Sequence, residues 1–151
     1  MDGVVEKIFI TPKGGAKMEA VDQAEALSGC GLRGDRYCER TGYWTATDEC
    51  QITFIEAETL EQIVSMLGIQ VQNGEHRRNV VTRGIMLDSL AGKKFRIGEA
   101  LFEFDRPRPP CGYIESITEP GMTRALIGRG GICARVLASG MIRPSDGIEV
   151  L

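Results

Sequence analysis

The sequence is short of histidine, tryptophan, lysine and long apolar runs, and each shortage excludes something. It has one histidine, His76, in 151 residues. A paired-imidazole metal site is therefore out of reach, and any Ser-His-Asp or Cys-His engine would have to use His76 as its base. No uninterrupted apolar run exceeds three residues, as at Ile8-Phe9-Ile10 or Ala100-Leu101-Phe102. A membrane-spanning helix needs roughly 20 mostly apolar residues, so no membrane association is expected. Met1-Asp2-Gly3-Val4-Val5-Glu6-Lys7 has no apolar stretch of the kind a secretory leader carries, and a cytoplasmic location is expected. Excess positive charge is missing too: 18 Lys and Arg face 21 Asp and Glu, for a net charge of −3. That argues against a nucleic-acid surface, which needs a positive stripe. The five cysteines, at 30, 38, 50, 111 and 133, include no C-x-x-C pair. Structural zinc is not expected, and the cysteines read as free thiols in a reducing compartment.

What is present points to one ordinary folded domain spanning residues 1–151. Hydrophobic residues make up 42% and charged residues 26%, enough apolar material for a core and too much for disorder. No repeat, low-complexity tract or linker divides the chain. The cations are lopsided, with 13 Arg against 5 Lys. Arginine's planar fork suits phosphate and carboxylate, so local anion sites are a reasonable expectation beside the plainer reading of solvated surface charge.

Most of the chain has strand character. Val4–Ile10, Thr45–Ile55, Asn79–Thr82, Phe95–Ile97, Ala100–Phe104, Ile132–Ala138 and Ile148–Val150 are predicted strands. Ile52 and Phe54 alternate with Gln51 and Thr53. Gly98-Glu99 suits a type II′ hairpin, since glycine at its first position takes positive φ freely. Ala57–Leu67 is the one clear helix: Ala57, Leu60, Val64 and Leu67 recur at helical spacing, Ile63 widens the stripe, and Gly68 sits where a left-handed cap belongs. Pro120–Ile127 is a candidate short helix, and Met18–Leu27 a short strand or helical turn. Six to eight short strands spaced this closely leave no room for repeated βαβ units. A mainly β fold follows, a closed or partly open barrel with one or two short peripheral helices.

Chemistry concentrates in four places. Arg106-Pro107-Arg108-Pro109-Pro110-Cys111-Gly112-Tyr113 follows directly on a strand. Its prolines stiffen the loop, Gly112 leaves Cys111 open, and Arg106 and Arg108 favour thiolate over thiol. A buried, inert cysteine is the competing reading. Cys50 and Cys133 read as packing residues, and Cys30 and Cys38 as loop residues of secondary interest. His76-Arg77-Arg78-Asn79-Val80-Val81-Thr82-Arg83 can grip an anion or simply be a solvated loop. In Gly31-Leu32-Arg33-Gly34-Asp35-Arg36-Tyr37 an aspartate can orient an arginine, and Gly128-Arg129-Gly130-Gly131 can form an anion nest.

Taken in order, these pieces resemble the MOSC family, named after the C-terminal domain of the molybdenum cofactor sulfurase. The matching residues are Gly31–Arg36, Arg77–Ile85, Leu90–Gly98, Arg106–Cys111, Gly128–Gly131 and Pro144–Glu149. The resemblance implies a β-barrel that binds a molybdopterin-type cofactor, the molybdenum cofactor. It implies Cys111 as the reactive sulfur, either a molybdenum ligand or a persulfide carrier. It implies Asp35, Arg36, Arg77, Arg78, Asn79, Arg83, Arg108 and Arg129 as residues of the cofactor pocket. Partner proteins of three kinds follow from it: an acceptor molybdoenzyme, a desulfurase, or a reductase. A sulfur carrier or cofactor-handling module is the leading expectation; the alternatives are a molybdenum-dependent reductase of N-hydroxylated compounds and a non-catalytic interaction barrel. Tyr37 stands where many relatives have histidine. Longer relatives carry an additional N-terminal domain, so completion of the pocket by a partner or second copy is a further expectation. The sulfurase's pyridoxal phosphate belongs to a separate domain, and none is expected here.

Overall fold

Most of the strand-forming segments close on one another into a single barrel. The structure is a computed structural model that describes residues 2–42, 50–110 and 112–151. Its strands are β1 (Gly3–Ile10), β2 (Glu19–Val21), β3 (Ala24–Leu27), β4 (Gly31–Leu32), β5 (Ile52–Glu56), β6 (Val80–Arg83), β7 (Lys94–Ile97), β8 (Ala100–Pro107), β9 (Ile132–Ala138), β10 (Gly140–Ile142) and β11 (Gly147–Val150). The helices are α1 (Arg36–Glu39), α2 (Ala57–Leu67), α3 (Gly112–Ser116) and α4 (Met122–Leu126), with a 3-10 turn at Leu87–Leu90.

Seven strands form the expected barrel, in the order β11-β7-β8-β9-β5-β6-β1, closed by pairing of β1 with β11. Closure removes the exposed edges that such short strands would otherwise present. β2 adds to the outside of β1, and β10, β3 and β4 make a separate three-stranded sheet. Every barrel pairing is antiparallel except β5 with β6, whose parallel register requires the crossover that α2 supplies.

The barrel interior is apolar, with Phe54, Phe95 and Phe102 at its centre. Their ring centroids lie 5.4 to 5.6 Å apart, two contacts edge-on and one stacked. Such pairs add about 0.5–1.5 kcal/mol each beyond area burial. A second core lies outside the barrel wall, where Ile55 and Val81 meet Leu60 and Ile63 of α2 and Met122 and Leu126 of α4.

That second core changes the reading of two elements. The β5 pattern suggests one wet face, but Thr53 is fully buried because α2 and its neighbours cover the outer side. Residues 45–49 of the longer strand expected there lie outside the described residues. On α2 the buried stripe is Ala57, Leu60 and Ile63, while Leu67 is 49% exposed. The helix docks closer to its N-terminal end, so its last turn projects beyond the wall. Its cap is as expected: Gly68 has φ 66° and its N–H donates to the Val64 carbonyl.

The Gly98-Glu99 hairpin forms, with Gly98 at φ 58°. β8 runs three residues further than its hydrophobic pattern, to Pro107, with register shifts near Leu101 and Phe104. Those shifts place Arg106 opposite Cys133 and deliver the proline segment to one end of the barrel. The Met18–Leu27 stretch resolves into two strands, β2 and β3.

Four cysteines are not free thiols. Cys30 is bonded to Cys38 (Cα–Cα 4.7 Å) and Cys50 to Cys133 (Cα–Cα 5.7 Å). The expectation of free thiols fails because separations of 8 and 83 residues show no pairing in one dimension. The fold brings the partners together: α1, which carries Cys38, turns back against β4 next to Cys30 in one case, and β5 lies beside β9 in the other.

Candidate functional site

Three loops meet at one end of the barrel: the β4–α1 turn, the His76–Asn79 approach to β6, and the Pro107–Pro110 segment. Each arrives for a local reason. Asp35 caps α1, its Oδ2 accepting from Tyr37 N at 3.3 Å, while Oδ1 accepts from Thr11 N at 3.1 Å. Arg77 adopts a left-handed φ of 66°, which turns the chain so that its neighbours face different ways. The proline segment is pinned where Arg108 N donates to the Gly131 carbonyl at 2.8 Å.

The side chains then close a ring of contacts. Arg36 is 5% exposed. One arm binds Asp35 at 3.2 Å, and the other donates to the Arg77 carbonyl at 2.8 Å and to the Tyr37 hydroxyl at 3.3 Å. Its guanidinium lies 4.3 Å from the Tyr37 ring centroid. Arg108 reaches the same hydroxyl from the other side at 3.3 Å, and its second arm lies 3.9 Å from Cys133 Sγ. Arg78, 4% exposed, donates to the carbonyls of Gly130 (2.6 Å) and Arg108 (3.2 Å). Arg77 donates to the Ala16 carbonyl. Tyr113 stands nearby, its hydroxyl so close to Gly15 that a Cβ there would come within 2.6 Å of it.

The electrostatics of this end are positive. Burial lowers the Arg77 pKa, and Arg36 lowers it further. His76 is fully buried and its pKa is pushed down to about 3, first by burial and then by Arg78, Lys7, Arg77 and Arg36. The imidazole is therefore neutral at physiological pH. Its Nδ1 accepts from Arg78 N at 2.8 Å, which puts the proton on Nε2, where it has no hydrogen-bond partner among the described residues. A neutral, buried histidine beside arginines serves to set the Arg77–Arg78 turn; it is no general base.

The expected site residues separate into groups. Arg36, Arg77, Arg78 and Arg108 converge. Asp35 belongs with them as the capping and ion-pairing partner. Asn79 is fully buried between strands: it bonds Thr53 through both backbone and side chain, and its amide donates to the Phe9 carbonyl. Arg83 lies at the far end of β6, half-buried, in ion pairs with Glu6 and Glu61 that raise its pKa. Arg129 is exposed and, with Arg108, Pro109 and Gly130, lines a cavity of about 600 Å³ that Glu56, Thr59 and Asp88 also border. Glu56 holds its proton more tightly than usual there because it is buried. The glycines next to Arg129 permit close backbone approach: a Cβ on Gly131 would lie 1.9 Å from the Phe54 carbonyl oxygen. Cys111 lies outside the described residues; Pro110 and the first residue of α3, Gly112, flank it.

Sequence reasoning missed the centre of the ring, Tyr37, which registered only as a departure from the histidine of relatives. It also missed Tyr113. The available signal was adjacency, since Tyr37 follows Asp35-Arg36 and Tyr113 follows Cys111-Gly112. Among the described residues no three His, Cys, Asp or Glu side chains converge as a metal site, and no helix is long and apolar enough to cross a membrane.

Solved structures share this architecture. The YuaD protein from Bacillus subtilis superposes with a TM-score of 0.81 at 20% identity, covering 99% of this chain and 96% of that one. YiiM from Geobacillus stearothermophilus (TM-score 0.71, 18% identity, 99% of this chain and 73% of that one) and YiiM from Escherichia coli (0.70, 20%, 98% and 69%) share the fold as well. At such identities the likeness speaks for the fold alone. No curated protein sequence matches. The model of the MOSC domain matches residues 41–149, most of the barrel and the whole proline–cysteine segment, and the chain belongs to the MOSC domain family.

Proposed function

We propose that this MOSC domain binds the molybdenum cofactor at the Arg36–Tyr37–Arg108 end of the barrel and handles sulfur through Cys111. The observation that carries the reading is the closed ring in which Arg36 and Arg108 meet on one tyrosine hydroxyl while Arg78 ties the backbone of Arg108 to Gly130. Its donors suit the anionic phosphate and polar pterin of that cofactor; burial is the main cause of the lowered pKa values of His76 and Arg77, and the neighbouring arginines lower them further. Arg77 and Arg108 would hold the anion, Arg36 and Tyr37 would orient it, and Asp35 would keep Arg36 in place. When bound, the cofactor supplies a dithiolene-held molybdenum centre for oxygen-atom or sulfur chemistry.

Cys111 follows Arg108 by three residues on a segment whose start is bonded to the ring. In the carrier reading its thiolate attacks the terminal sulfur of a desulfurase persulfide. The donor's S–S bond breaks, a new one forms at Cys111, and the donor cysteine leaves as thiolate. An acceptor molybdoenzyme would then receive that sulfur.

The test is metal and pterin analysis of purified protein, with peptide mass spectrometry after incubation with a cysteine desulfurase and cysteine. The proposal expects molybdenum and pterin to copurify, a 32 Da adduct at Cys111 from one added sulfur, and loss of the adduct in Cys111→Ala. An adduct at another cysteine, or no cofactor from any expression host, overturns it. Molybdenum-dependent reduction of an N-hydroxylated base that vanishes in Cys111→Ala would replace the carrier role with the reductase one.

A further inference from the structure

We propose that Cys30 and Cys38 form a reversible redox site that takes a protein dithiol as its reductant, and that the state of this bond sets how firmly Arg36 and Tyr37 hold an anion. The second clause rests on the anion-binding reading above; the first stands without it.

The two disulfides are placed very differently. Cys50 is 2% and Cys133 0% exposed. Cys30 and Cys38 are half-buried and line an open cavity of about 300 Å³, together with Tyr37, Arg40 and Gln51. Cys50 also lines this cavity, but it is only 2% exposed and is bonded to the fully buried Cys133. A reductant entering there meets the Cys30–Cys38 bond first. Arg40 beside it favours the thiolate of a departing sulfur.

The bond also bears on the site. α1 is a single turn, Arg36–Glu39, too short to persist unsupported. Asp35 holds its first residues, and Cys38 anchors its other side to Cys30 next to β4. β4 itself has no slack: a Cβ on Gly31 would lie 2.2 Å from the Gln51 carbonyl oxygen. The disulfide therefore ties α1 to a rigid edge. Arg36 and Tyr37, which immediately precede Cys38, close the arginine ring.

The chemistry balances with a dithiol. One thiolate of the reductant attacks one sulfur of the pair, the Cys30–Cys38 bond breaks, and a mixed disulfide forms while the other sulfur leaves as thiolate. The second thiolate of the reductant attacks the mixed disulfide. Two electrons and two protons pass to Cys30 and Cys38, and the reductant departs as its own disulfide.

The test uses the full chain, purified oxidised. It is incubated with increasing concentrations of a reduced thioredoxin-type protein, trapped with N-ethylmaleimide, and mapped by mass spectrometry. The expected result is alkylation of Cys30 and Cys38 at a reductant concentration about tenfold below that needed for Cys50 and Cys133, reversed on reoxidation. Alkylation of Cys30 and Cys38 before any reductant, or of all four cysteines together, overturns the redox site. Binding of inorganic phosphate, followed by calorimetry, should weaken several-fold on reduction while urea unfolding of the barrel remains a single two-state transition. Cys30→Ser/Cys38→Ser should bind as the reduced protein does and ignore the reductant. Phosphate affinity unchanged by reduction removes the coupling. No phosphate binding in either state sinks the anion reading, and the trapping result still decides the redox site.

Discussion

The barrel interior and its arginine-lined end are held together by opposite means. Inside, Phe54, Phe95 and Phe102 pack with aliphatic neighbours and leave no polar atom to satisfy. At the end, Arg36 and Arg78 are almost as deeply buried, yet Arg78 rests on backbone carbonyls and Arg36 on Asp35, a carbonyl and a hydroxyl. The interior gains from removal of apolar surface from water. The end costs desolvation of charge and recovers it only where every arm has a partner. The two disulfides differ in the length of chain they close, and both lie near the arginine-lined end, Cys133 Sγ being 3.9 Å from Arg108. In the chain-entropy account the 83-residue closure is worth roughly 4.5 kcal/mol and the 8-residue closure roughly 2.5. Both regions thus contribute to stability, and the cluster of cations belongs to the end alone.

The largest expected effect lies in the interior. Phe102→Ala removes a fully buried ring and should lower unfolding free energy by about 3–5 kcal/mol in urea. A loss under about 1 kcal/mol would mean that the aromatic centre is not the barrel's keystone. Next comes Asp35→Ala, which strips Arg36 of its buried partner and α1 of its cap. The expected cost is about 3 kcal/mol, with much less for a control substitution at exposed Glu25, whose pair with Arg33 is also exposed.

Acidification separates the two regions by sign. His76 has a folded pKa of about 3 against an ordinary 6.5. Between those values the unfolded chain binds more protons, so stability is complete above pH 6.5 and falls by about 1.4 kcal/mol per pH unit as pH drops towards 3. His76→Asn keeps an acceptor for Arg78 N–H but cannot titrate, so the slope of stability against pH should flatten below 6.5. An unchanged slope would show that other groups govern the acid limb. The smallest stability effects are expected at the cations themselves. Arg108→Gln should weaken inorganic phosphate binding several-fold while shifting stability by about 1 kcal/mol or less. Arg83→Gln, at the far end of β6, should alter neither affinity nor melting temperature. Equal losses of phosphate affinity in both variants would mean that the anion responds to overall charge and not to the ring.

Much of the barrel was readable because alternating residues and turn glycines act locally. Val4–Ile10, the Gly98-Glu99 hairpin, Ile132–Ala138 and the α2 helix with its Gly68 cap all form where expected. β2, β3 and β10 were less distinct, because three- and four-residue strands barely establish a period. Thr53 misled because its polarity is satisfied by Asn79, the residue just before β6, not by solvent. Among the site residues, the clustering of Arg36, Arg77, Arg78 and Arg108 was implied by family resemblance, while the departure of Arg83 to the other end follows from β6 carrying its two termini to opposite ends of the barrel.

The order of apolar and turn residues alone specified a mainly β scaffold, closed or partly open, and one amphipathic helix, since those preferences are properties of a few neighbouring residues. Disulfide partners, a neutral histidine among arginines, and two guanidinium groups on one tyrosine hydroxyl were decided only when distant segments met. Burial, bonding and local potential depend on what lies across the fold, and no window along the chain contains that information.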